Sequence, residues 1–167
     1  VRDLRPLRLP IARVAGTWQQ SPELFATLRD VHVANGLLFA YRDPGVNLFG
    51  EALASAADTQ GSGLVVGEGY SMLNFVEVER DDGPGLQLVQ LRNLWGLGHA
   101  WRGAWSAGAA EWEQFPEVRR HHLRAEHHAT GRFWMAWHDF CAFFDRVEAC
   151  PMPGAARKAS FVPRPTR

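Results

Sequence analysis

Cysteine is nearly absent from this 167-residue chain, which has only Cys141 and Cys150. Two thiols build no disulfide framework, so the expectation is a reducing compartment, here cytoplasmic. No apolar run reaches membrane-spanning length. The stretch Val1 to Pro10 mixes Arg with Leu and Pro and lacks the unbroken apolar core of a signal peptide. An excess of one charge is missing too, since 18 Lys and Arg balance 18 Asp and Glu. Such a chain is not a general binder of nucleic acid or membrane surfaces. There is no internal repeat. Large rings are plentiful, with seven Trp and ten Phe, and each needs a shaped site in a core. The length suffices for one domain. The first residue is Val1 rather than Met, which suggests a piece cut from a longer protein.

Residues 1–20 read as a lead-in segment, 21–150 as the domain, and 151–167 as a flexible basic, Pro-rich tail. Ser21-Pro22 is an N-cap followed by Pro at the first helical position, and Leu24, Leu28 and Val31 repeat at helical spacing. Gly36 is the expected stop. Leu37 to Tyr41 reads as a buried strand, residues 47–57 as a short helix, and Leu64-Val65-Val66 as strand-like. Ser71 to Glu79 and Leu86 to Arg92 flank an Asp-Asp-Gly-Pro-Gly turn and predict a hairpin. Residues 93–112 carry too many glycines for a helix, and residues 113–124 are mixed and polar. Arg132 to Trp137 reads as a strand, His138 to Phe144 as a short helix, and Arg146 to Cys150 as a closing strand. The sum is an α+β domain weighted towards antiparallel strands.

The most specific text is Leu91-Arg92-Asn93-Leu94-Trp95-Gly96, followed by Trp101-Arg102-Gly103-Ala104-Trp105-Ser106. Upstream stands Gly67-Glu68-Gly69-Tyr70-Ser71; downstream stand Gly131-Arg132-Phe133-Trp134-Met135 and Asp139-Phe140. In order and spacing these runs resemble the second protease subdomain of the calpain family, over roughly residues 20–150. The resemblance implies an antiparallel barrel-like β-sheet with flanking helices, the second half of a papain-like core. It also implies a site whose Cys lies in the first subdomain and whose His and Asn lie in the second. No family-like Cys context occurs here. Cys141 and Cys150 match late positions outside the site and read as small buried hydrophobes.

On this resemblance Asn93 is the amide that orients an imidazole, and Trp95 is the ring that shields it. Glu68 stands where the imidazole belongs. Imidazole both takes and returns a proton near neutrality, whereas a carboxylate near 4.3 is a poor acid there. An imidazolium lowers the pKa of a neighbouring thiol, and a carboxylate raises it. Loss of the general acid–base costs about 10²–10⁴-fold. Glu68 is either a solvated residue at a strand start or a partner facing Asn93. The expected function is therefore a catalytically inactive calpain-like domain serving as an interaction or scaffold module. Its partner is a protein or peptide, including the first protease subdomain. The alternative is part of an active calcium-dependent cysteine endopeptidase whose Cys-bearing half lies upstream. A third possibility is a peptide-binding module.

The resemblance also implies calcium ligands at four acidic positions. They match Ala100, Ala107, Thr130 and Arg132, which cannot supply the carboxylate oxygens that calcium needs. No metal and no cofactor are expected. The pairs His121-His122 and His127-His128 are separated by five to seven residues, not the three or four that join ligands on a helix face. They read, with Arg119, Arg120 and Arg124, as a wet basic segment. His99 and His138 stand alone. Gly96-Leu97-Gly98 lacks the strand–helix context of a nucleotide loop.

Overall fold

The computed structural model describes residues 7–10, 13–14, 17–18, 22–42, 61–79, 85–94, 99–122 and 130–150. In chain order these form β1 (Leu7–Pro10), β2 (Arg13–Val14), β3 (Thr17–Trp18), α1 (Pro22–Val33), β4 (Leu37–Tyr41), β5 (Gly69–Val78) and β6 (Leu86–Asn93). Then follow α2 (Glu111–Gln114), α3 (Pro116–His122), β7 (Arg132–Ala136), α4 (Trp137–Phe143) and β8 (Arg146–Cys150). The expected helix at 47–57, the turn at 81–84, the Ser21 cap and the tail from 151 lie outside the described residues.

Helix α1 forms because Leu24, Phe25, Leu28 and Val31 share one face and bury it against the sheet. Glu23 in its first turn complements the positive end of the helix dipole. Its stop is as the sequence predicts: Asn35 takes a left-handed φ of 59°, and the Gly36 N–H donates to the Val31 carbonyl at 2.8 Å. A Cβ at Gly36 would stand 2.5 Å from Val31 Cγ1, so the reversal requires glycine.

Six strands form one antiparallel sheet in the order β1-β8-β4-β5-β6-β7. The α+β class is as the resemblance implies, but the sheet is not closed into a barrel: β1 and β7 stand at opposite ends of the order. The reason is visible in the burial. A barrel has one interior, whereas this sheet is covered on both faces. On one face α1 and α4 pack on Met72, Val89, Leu91, Phe133 and Met135. On the other, Trp105, Trp112 and Val118 pack on Val76, Leu88, Trp134 and Ala136. Phe133 and Trp134 are adjacent in β7 and serve the two cores in turn.

Two further departures are informative. Leu64-Val65-Val66 is not a strand; Leu64 plugs the core from a loop bounded by Gly63 and Gly67, both at positive φ. The Val65 N–H goes to the Tyr70 hydroxyl at 2.7 Å rather than to a ladder. The lead-in is also structured in part, since β1 pairs with β8 along Leu7↔Ala149 to Pro10↔Arg146. Among the described residues no helix is long and apolar enough to cross a membrane.

Candidate functional site

Three pieces of backbone meet around the end of β6. Asn93 is its last residue, and its cross-strand partner is Tyr70 at the start of β5. Both are buried and lie on the α1–α4 face of the sheet. Glu68, half-buried, precedes Tyr70 by two residues and so enters β5 beside the end of β6. The third piece is the segment from His99 to Arg102.

Asn93 is held by two neighbours, His99 and Gly131. Its Nδ2 donates to the His99 carbonyl at 2.7 Å, which fixes which end of the amide faces that strand of backbone. Its own N–H donates to the Gly131 carbonyl at 2.9 Å. Gly131 has a φ of +71°, and a Cβ there would meet the Asn93 carbonyl oxygen at 2.8 Å. Only glycine allows that approach without strain.

The loop leading to Glu68 is fastened to the same segment. The Arg102 N–H donates to the Ser62 carbonyl at 3.0 Å. Gly63 presses on the Ala100 carbonyl, where a Cβ would come within 2.0 Å. Arg42 bonds Ser62 Oγ and the Leu64 carbonyl, both at 3.2 Å, and lays its guanidinium over the Phe143 ring. Burial pushes the Tyr70 phenol above its ordinary pKa, with the Val65 hydrogen bond and Arg42 opposing and the Glu68 carboxylate adding to the rise.

The structure thus brings Asn93, Tyr70 and the Glu68 loop to one end of the sheet. Among the described residues, no hydrogen bond joins Glu68 to Asn93; the amide is anchored on His99. Trp95 lies outside the described residues. The Trp-x-Gly-Ala-Trp-Ser run is a strap between the two cores: Trp101 enters the α1–α4 core and Trp105 the opposite one. Trp101 Nε1 donates to the Ala104 carbonyl at 2.7 Å, and its ring covers Gly103 so closely that a Cβ would lie 2.1 Å away. The sequence singles out Asn93 but not the groups that anchor it. Gly131 was legible as part of a motif, but the His99 contribution is a backbone carbonyl and leaves no mark in the sequence.

Both thiols are free, and burial pushes the Cys141 thiol up to about 12, which keeps it protonated and inert. Among the described residues no cluster of His, Cys, Asp and Glu could hold a metal. His127, His128 and the side chain of His122 lie outside them. At the positions matching the family's calcium ligands stand the methyls of Ala100 and Ala107, the exposed Thr130 and the Arg132 guanidinium. That donor set does not fit calcium.

Residues 11–151 match the domain described as calpain family cysteine protease. Over 139 residues the chain is 31% identical to human calpain-9, covering 82% of this chain and 19% of that protein. It is 38% identical over 96 residues to the chicken calpain-1 catalytic subunit, covering 57% of this chain and 13% of the relative. With calpain-A of Drosophila melanogaster it shares 29% over 130 residues, covering 76% and 15%. The chain spans less than a fifth of the length of each of these relatives. The matched motifs, the anchored Asn93 and this coverage agree: the chain belongs to the calpain family of cysteine proteases and carries a calpain-type protease domain.

Proposed function

We propose that this calpain-family domain is catalytically inactive and serves as an interaction module for a protein or extended peptide. The observation that carries the reading is the sequence Gly67-Glu68-Gly69-Tyr70-Ser71, in which the family resemblance puts Glu68 at the imidazole position, together with an Asn93 anchored at the adjoining end of β6. The amide keeps its place while the proton carrier is gone. A carboxylate there repels a thiolate instead of stabilising it, so a Cys brought by another segment gains nothing from this half. Partners of this kind include the Cys-bearing first subdomain of the family; nucleic acid and membranes are not among them. Free Cys141 and Cys150 agree with a reducing, cytoplasmic setting.

The test has two arms. The full-length protein that contains this chain is assayed on fluorogenic peptide substrates, with an Asn93→Ala variant beside it. Turnover at background for both is the expected result. Turnover that disappears in Asn93→Ala overturns inactivity. In parallel, a peptide array probed with the folded chain reports binding; a blank array removes the peptide-binding role.

A further inference from the structure

On the sheet face opposite Asn93, two arginines oppose one another. Arg92 on β6 and Arg132 on β7 are direct cross-strand partners, and Ser71 on β5 is the next residue in the same row. Such partners point to the same side of a sheet with Cβ atoms about 4.5–5.5 Å apart, and like charges there destabilise the pair. Four other described arginines do have a carboxylate partner: Arg29 with Glu77, Arg119 with Glu113, Arg120 with Glu117 and Arg146 with Glu148. Among the described residues Arg92 and Arg132 form no ion pair. Arg92 is exposed, and its Nε donates to the Thr130 carbonyl at 3.2 Å, which pins the guanidinium at the turn leading into β7. Arg132 is half-buried, and its Nε is buried with no hydrogen-bond partner among the described residues.

Two adjacent guanidiniums with no counter-charge among the described residues suit an anion of matching valence. A carboxylate brings one negative charge. A phosphate monoester brings about −1.5 to −2 and three acceptor oxygens, enough for both guanidiniums and a hydroxyl. We propose that Arg92 and Arg132, with the Ser71 hydroxyl in the same cross-strand row, form a binding site for a phosphate monoester. The site does not depend on the reading of Glu68, because it lies on the other face of the sheet.

The experiment is a titration of the chain in chloride buffer at constant ionic strength, followed through the arginine Nε–H resonances. Three probes are used: inorganic phosphate, a short phosphoserine peptide, and the same peptide with Glu in place of phosphoserine. Saturable shifts of Arg92 and Arg132 with the phosphate probes are expected, with the Glu peptide weaker by about tenfold or more. A phosphopeptide that binds tighter than phosphate assigns the group to a protein partner; equal affinity assigns it to a free phosphate. Arg132→Met is expected to weaken binding by about tenfold. Because that variant removes a half-buried side chain, Arg132→Glu is measured too. It converts the like-charged pair to an opposite one, so it raises the melting temperature in phosphate-free buffer and abolishes the phosphate response. Non-saturating shifts, a Glu peptide that binds as tightly as the phosphopeptide, or phosphate affinity retained in Arg132→Glu overturns the proposal.

Discussion

The fixing of Asn93 depends on what is missing from Gly131. Gly131→Ala must accept both a φ of +71° and a Cβ 2.8 Å from the Asn93 carbonyl oxygen. A loss of about 1–3 kcal/mol is expected in denaturant unfolding. Gly67→Ala is the control, since its φ is +83° but nothing lies within 4 Å of the added Cβ. It should cost only the backbone share, about 1 kcal/mol. Equal losses at the two sites remove the claim that Gly131 braces Asn93. The thiols give a second residue-scale prediction. Folding raises the Cys141 pKa from 9.0 to about 12 through burial. Between those values the folded chain holds a proton that the unfolded chain releases. Stability is therefore unaffected by this group below pH 9 and falls as pH rises from there towards 12, by at most about 1.4 kcal/mol per pH unit. Cys141→Ala flattens that part of the curve. In the native protein a thiol reagent should modify Cys150, which is half-buried, well before Cys141.

Among the elements, those whose own side chains decide their conformation are the ones legible in the sequence. Helix α1, strand β4, the β5–β6 hairpin, β7, α4 and β8 all carry their periodicity or turn chemistry locally, and all stand within a residue or two of the expected bounds. What was illegible depends on distant partners. β1 is a strand because β8 offers it an edge, and nothing in an Arg-, Leu- and Pro-mixed stretch announces that. Leu64-Val65-Val66 has strand-forming residues, yet the Tyr70 hydroxyl and two left-handed glycines make it a loop. The same distinction orders the energetics of the Trp strap. Trp112 is buried at 1% exposure, meets Trp105 edge-on at 4.9 Å and donates Nε1 to the Ser106 carbonyl. Trp112→Ala should cost about 3–5 kcal/mol and shift the near-ultraviolet circular dichroism of the Trp105–Trp112 pair. Arg29→Ala removes an exposed bridge to Glu77 between α1 and β5 and should cost no more than about 1 kcal/mol. Comparable losses in urea unfolding would contradict the assignment of the second core to the Trp strap.

At the scale of the whole molecule, the proposed function treats the candidate site as half of a device whose chemistry needs a thiol, a proton carrier and an orienting amide. The amide is present and anchored; on the proposed reading Glu68 replaces the proton carrier, and that reading is tested by repair. The chain is mixed with a Cys-bearing first subdomain from a family relative, as wild type and as Glu68→His, and complex formation is measured apart from turnover. Association of both with the added half is expected, because the substitution changes one half-buried side chain and leaves the anchors of Asn93 in place. Turnover separates them. On the proposed reading Glu68 leaves the added thiol without a base and disfavours its thiolate, whereas an imidazole at 68 can take its proton and return it to the leaving group. An increase of about 10²–10⁴-fold is expected for Glu68→His, with a pH profile that acquires a limb near the imidazole range. Addition of Asn93→Ala to Glu68→His should remove most of that gain, since the imidazole loses the group that orients it. If wild type and Glu68→His associate equally and turn over equally, position 68 is not where the proton carrier belongs, and the proposed inactivity loses its basis in Glu68.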